Sequence, residues 1–171
     1  FHDPACRSEQ CRLLRLIVEQ ESPLHIEIAA RRLAAAWGRA KVGSRMMSAV
    51  REAARNLVRV GAVIQDGEFL WTPQACERAR SLVRTPSDDE DETLREIKHI
   101  PPRELQNAML LIVQHAVGIS LESLIAETRR LFGFNRSGGN IKERLLAEFE
   151  GLQRDGLLSV HDGRVSLGDN V

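Results

Sequence analysis

The 171-residue chain carries 24 Lys plus Arg against 24 Asp plus Glu, so its formal net charge is zero. No whole-molecule field draws it to nucleic acid or to a membrane, and any such affinity has to come from a local patch. Three cysteines without metal-ligand spacing fit a reducing, cytoplasmic setting better than a disulfide framework, and the longest apolar run, Ala108 to Val113, is far too short to span a bilayer.

The chain opens at Phe1 rather than methionine, so a piece of a longer protein is expected. Asp3-Pro4 suits a helix start, and Cys11, Leu14, Ile17 and Val18 then form an apolar stripe. Pro23 ends that helix and forces Ser22 to be extended. Leu24 to Ile26 predicts a very short strand, and Ile26, Ala29, Ala30 and Leu33 mark a second helix ending near Trp37-Gly38. After a turn from Arg39 to Gly43, the residues Met46, Val50, Ala54, Leu57 and Val58 fall at helical spacing over about four turns, with Ser44 where an N-cap belongs. Ala62 to Ile64 and Phe69 to Trp71 flank Asp66-Gly67, the signature of a β-hairpin with a type I′ turn. Helix, strand, helix, turn, helix, two-stranded wing is a winged-helix plan, a helix-turn-helix variant. Thr72-Pro73 then predicts a fourth, closing helix with Cys76, Ala79 and Val83 on one face.

Thr85 to Glu92 (TPSDDEDE) has nothing apolar to bury and a run of like charge, which reads as a solvated linker. Leu94 to Ile100 is ambiguous between strand and irregular structure. Pro101-Pro102 starts a helix with Leu105, Met109, Ile112, Val113 and Ala116 inward, and Ser120 caps the next, whose Leu121, Leu124, Ile125 and Leu131 face a core. Ile141, Leu145, Phe149 and Leu152 give a further helix, with Asn140 and Glu143 in a capping-box pattern. Leu157 to Val160 and Val165 to Leu167 flank Asp162-Gly163. The second half thus repeats the first: Gly38, Gly43, Leu57, Arg59 and Gly61 recur as Gly133, Gly138, Leu152, Arg154 and Gly156, always 95 positions later. The expected fold is mainly α with small β-hairpins (α+β), a tandem winged-helix repeat with one unit at 1–83, an acidic linker and connector at 84–101, and a second unit at 102–171.

Several strings carry a family likeness: RRLAAAWG, GSR and VRVGAVIQDGEFLW, then IPPREL and GISLESLIAETRRLFGF with the glycine-spaced helix after it. Together they resemble the uncharacterised C-terminal domain of bacterial proteins described as DNA-helicase-related, which join a superfamily 1 helicase-like ATPase to a nuclease-like segment. The resemblance implies a place at the far end of a nucleic-acid motor, with the helicase-like remainder of its own chain as one partner. No G-x-x-x-x-G-K-[ST] occurs here, so phosphate cradling is not expected of this chain.

The candidate chemistry is electrostatic. Arg39 and Lys41 lie in the turn before the third helix; Arg45, Arg55 and Arg59 share its outer face with Ser48, and Arg51 sits at the flank. In helix-turn-helix proteins that helix enters the major groove, which makes DNA the expected partner. The bland alternative is a solvated face in which Glu52 pairs with its neighbours. Against DNA stand an acidic wing tip, Gln65 to Glu68, and a third helix in the second unit whose Lys142, Arg144 and Arg154 are balanced by Glu143, Glu148, Glu150 and Asp155. Docking of a protein partner, or homodimerisation, is therefore the second expectation. A zinc centre from His2, Cys6, Cys11 and Cys76 is disfavoured because Cys6 to Cys11 is too wide for a C-x₂₋₄-C pair. No nucleophile signature accompanies His25, His99, His115 or His161, so neither a catalytic residue, a metal nor a cofactor is expected. Trp37, Phe69, Trp71 and Phe132 are expected as core rather than as a stacking platform. Asp88 to Glu92 also suggest a segment able to mask the basic helix.

Overall fold

The structure is a computed structural model and describes residues 7–79, 81–87, 94–116, 118–135 and 138–170. The Asp3-Pro4 helix start, His2, Cys6 and the Asp88 to Glu92 segment lie outside the described residues. The chain divides into two compact units, Phe1–Arg78 and Ala79–Val171. It is mixed and mostly helical: among the described residues there are seven α-helices and two small antiparallel three-stranded sheets. None of the helices is long and apolar enough to cross a membrane.

In the first unit, α1 (Arg7–Glu21), β1 (Leu24–His25), α2 (Ile26–Ala36), α3 (Ser44–Arg59), β2 (Ile64–Asp66), β3 (Phe69–Trp71) and a short α4 (Pro73–Arg78) follow in order. The apolar stripes meet in one core, with Leu14 and Val18 from α1, Ile26, Ala30 and Leu33 from α2, and Val50, Ala54 and Leu57 from α3 all buried. Removing these side chains from water is the main stabilising term, at about 25 cal/mol per Å² of apolar surface. β3 is the central strand, with β1 on one side and β2 on the other.

The second unit runs α5 (Pro102–His115), β4 (Ile119–Ser120), α6 (Leu121–Leu131), α7 (Gly139–Arg154), β5 (Leu158–His161) and β6 (Arg164–Leu167). Its sheet order, β4-β6-β5, matches that of the first. Leu105, Met109, Leu124, Leu145, Phe149, Leu152, Leu158 and Val165 form its core. The helix bounds of α2 and α6, and of α3 and α7, are separated by the same 95 positions as the glycines.

Those glycines have a shared task. Beyond α2, Gly38 adopts φ +65° and donates to Ala35 O, while Arg39 N reaches Ala34 O at 2.9 Å, the two bonds of a Schellman cap. Gly133 does the same after α6, with φ +77° and Phe134 N donating to Arg129 O. Equivalent bond pairs close α3 and α7.

Local details depart from expectation at four places. The N-caps of α3 and α7 are Gly43 and Gly138, without a side-chain cap, so Ser44 and Asn140 are helical residues and the Asn140-Glu143 capping box is not formed. Ser120 does cap α6, its side chain accepting from Ser123 N at 3.1 Å. The first hairpin turns one residue later than Asp66-Gly67: Asp66 pairs with Phe69, leaving Gly67-Glu68 as the loop, and only Gly67 has positive φ. That is the φ pattern of a type II′ turn, which takes Gly at its first central position. The register is held from the other side, because Ile26 N donates to Glu68 O at 2.8 Å and β1 pairs with β3. In the second hairpin both Asp162 (φ 50°) and Gly163 (φ 74°) are left-handed, as a type I′ turn requires. Third, α4 stops at Arg78, and Ala79 belongs to the second unit. Fourth, the ambiguous connector forms a 3₁₀ turn at Ile97–His99.

The second unit also holds a buried carboxylate. Glu104, on the first turn of α5, has no solvent exposure and is gripped by two arginines from the preceding segment. Arg84 gives its backbone N–H to Oε1 (2.8 Å) and Nη2 to Oε2 (2.9 Å). Arg95 gives Nη2 to Oε1 (2.7 Å) and Nη1 to Oε2 (3.0 Å), while its Nη2 also reaches Arg84 O and its guanidinium lies over the Phe132 ring. Burial pushes the Glu104 carboxyl up, but the hydrogen bonds from Arg95 and Arg84 outweigh it and hold the group below its ordinary range. A smaller polar cluster lies between α5 and α7, where Gln106 Nε2 donates to Glu148 Oε2 at 2.8 Å and Arg144 Nε stands 2.9 Å from Glu148 Oε1.

Candidate functional site

The basic residues singled out from sequence are gathered by α3 and the turn that leads into it. Met46, Val50, Ala53, Ala54 and Leu57 face the core, so the residues spaced three and four apart on the other side, Arg45, Ser48, Glu52, Arg55 and Arg59, form one outward stripe. Arg45, Ser48, Arg55 and Arg59 are exposed, and Glu52 in the middle of the stripe is half-buried. Glu52 is engaged in a polar interaction, and Arg59 Nη2 donates to Asn56 Oδ1 at 2.7 Å.

Arg39 and Lys41 are exposed in the turn, where the Schellman cap after α2 sets the chain's direction. With Glu27, Arg31 and the first residues of α3 they line a shallow groove of about 690 Å³ between α2 and α3. Among the described residues, Arg39, Lys41, Arg45 and Arg55 have no ion-pair partner.

Arg51 is different. It lies off the stripe on the side of the hairpin and makes a bidentate pair with Glu68, Nη1 to Oε1 at 3.0 Å and Nη2 to Oε2 at 2.6 Å. Such a fork-to-fork pair is the strong form of a charge-assisted hydrogen bond. The Arg51 hydrogen bonds hold Glu68 below the usual carboxylate range against a smaller opposing effect of burial, and the Glu68 hydrogen bonds raise Arg51 in turn. The acidic tip of the first hairpin was legible in sequence, but its use as the clasp of Arg51 was not, since 17 residues separate the two.

On α7 the positions that correspond to the basic stripe carry Asn140, Glu143, Ala147, Glu150 and Arg154, all of them exposed. A groove of about 710 Å³ beside this helix is lined by Leu121, Ile125, Ile141 and Leu146 together with the charged Glu122, Arg129 and Lys142. At matching places the first stripe thus carries three arginines and one glutamate, and the second two glutamates and one arginine.

The remaining candidates are ordinary packing. Phe69, Trp71 and Phe132 are buried and Trp37 is half-buried. His25 caps α2, its Nδ1 accepting from Glu27 N at 3.2 Å, and its ring meets Phe69 edge-on. Cys11 and Cys76 are half-buried free thiols.

Comparison with known proteins gives one likeness. A family model described as "Protein of unknown function (DUF3320)" matches residues 1–48, which span α1, β1, α2, the turn and the first residues of α3. No curated protein and no solved structure matches the chain.

Proposed function

We propose that the chain is a non-catalytic accessory module built of two winged-helix units, the first of which holds DNA through α3. The observation that carries this reading is the cationic surface made by Arg45, Arg55 and Arg59 on the outward stripe of α3, continued by Arg39 and Lys41 in the turn before it. In the helix-turn-helix geometry such a helix lies in the major groove, its N-terminal side chains near base edges and the flanking cations on phosphates. The order of helices and strands in each unit supports the winged-helix assignment. The strings that resemble the C-terminal domain of DNA-helicase-related proteins suggest that this grip serves a motor elsewhere in the same polypeptide.

Four phosphate contacts from this surface give a log–log salt dependence of about −3 to −4. Fluorescence anisotropy with duplex and forked DNA at low and moderate salt measures it. Arg45→Glu combined with Arg55→Glu is expected to abolish binding, and binding indifferent to that pair of changes ends the proposal.

A second reading, docking of a protein partner, is favoured by the apolar groove between α6 and α7 and by the acidic stripe beside it, neither of which suits a phosphate backbone. Under the two readings together, the first unit engages nucleic acid and the second a protein surface.

A further inference from the structure

We infer that Glu68, at the tip of the first hairpin, acts as a built-in competitor for phosphate that withholds Arg51 from the ligand and keeps the wing off the duplex. The inference rests on the DNA-binding reading of α3 and deepens it, because it decides which part of the unit touches the ligand.

Geometry supplies the argument. Glu68 offers Arg51 two carboxylate oxygens at 3.0 and 2.6 Å, the same planar arrangement of acceptors that a phosphate presents to a guanidinium. The pair sits at the surface, with Arg51 and Glu68 side chains 40% and 48% exposed, so an incoming phosphate competes with the carboxylate for the two N–H groups that form the fork. The wing offers no compensating cation: Ile64, Gln65, Asp66, Gly67 and Glu68 form its exposed part, and two of these five are acids. Glu27 adds a third negative charge within electrostatic range of both partners. A duplex approaching α3 with the wing alongside would bring its second phosphate ridge against these acids. Contact is thereby confined to the turn and the outward stripe, where Arg39, Lys41, Arg45 and Arg55 are available.

The turn geometry makes the competitor a fixed part of the fold. Because the loop is Gly67-Glu68 and not Asp66-Gly67, Glu68 stands at the second central position, beside β3 and within reach of α3. Its backbone carbonyl is held by Ile26 N.

Replacing Glu68 by Gln keeps the shape and removes the charge. In anisotropy titrations of the whole chain with duplex DNA, Glu68→Gln is expected to bind about fivefold more tightly near 0.1 M salt, with a salt slope steeper by about 0.9, the signature of one added phosphate contact. Arg51→Ala alone should bind no more tightly than the parent, since Arg51 is already occupied and its loss leaves Glu68 uncompensated, and Arg51→Ala added to Glu68→Gln should erase the gain. Thermal unfolding of each variant checks that the unit remains folded. If the parent binds and loses binding on Arg45→Glu plus Arg55→Glu, but Glu68→Gln changes nothing, the competitor role falls and the interface stands. If the gain survives Arg51→Ala, it belongs to the wing's charge at large and the assignment to Arg51 is overturned. If neither the parent nor Glu68→Gln binds, the interface itself falls.

Discussion

Glu9 and Glu104 stand at corresponding helix positions, yet they live in different media. Glu9 is exposed and pairs with Arg12 one turn on, an interaction worth little in water. Glu104 is fully buried and accepts from both Arg84 and Arg95. Removing one partner of a buried pair leaves the other charge uncompensated, so Glu104→Gln is expected to destabilise the second unit by about 3 kcal/mol, read from chemical or thermal unfolding. The same carboxyl titrates below its ordinary value when folded. Its contribution is thus present in full above about pH 4.3, the unfolded value, and is lost as pH falls through the lower folded value. Unfolding curves of the parent and of Glu104→Gln should therefore draw together as the solution is acidified. A difference that stays constant down to about pH 2 would remove Glu104 from that role.

At the scale of elements, much was legible because backbone demands leave marks that survive in a single sequence. The apolar stripes of α1, α2, α3, α5, α6 and α7 announced the helices, and Pro23 after α1 and the glycines beyond α2, α3, α6 and α7 announced their limits. The hairpins were legible as hairpins, but the register of the first was not, since it depends on β1 and on Ile26 N reaching across from another element. The basic face of α3 could be read from spacing alone, whereas the Arg51–Glu68 clasp and the Arg84–Arg95–Glu104 cluster needed residues far apart in the chain. Cluster residues Arg84 and Arg95 had fallen in the linker and connector, where charge reads as solvation. Gly168 was likewise silent: a Cβ there would lie 2.1 Å from Gly156 O, while its N–H donates to Leu157 O at 2.9 Å. Backbone cannot yield as a side-chain tip does, so Gly168→Ala should cost the second unit about 2 kcal/mol, seen as a lowered unfolding midpoint. No change on substitution would mean that the strand end can shift freely.

Over the whole molecule, the two units share a plan and differ in what they bury and display. Between α1 and α3 the first unit uses Cys11, Ala49 and Ala53, small and mostly apolar, where the second places Gln106, Arg144 and Glu148 between α5 and α7. The first unit relies on apolar packing within and shows cations outside; the second carries ions within and shows acids and an apolar groove outside. Under the proposed reading, this division lets one unit face nucleic acid while the other is free for a different surface. The neutral net charge of the chain is the sum of a first unit with 12 basic and 9 acidic residues and a second with 12 basic and 15 acidic, five of whose acids are Asp88 to Glu92.

The Glu104 cluster also bears on how the protein responds to denaturants. Guanidinium chloride delivers, at molar concentration, the very group that Arg84 and Arg95 present to Glu104, whereas urea is uncharged. For ordinary domains guanidinium acts about twice as steeply as urea. The second unit should give way in guanidinium earlier than its urea midpoint predicts by that ratio, and the Glu104→Gln variant should restore the usual proportion between the two titrations.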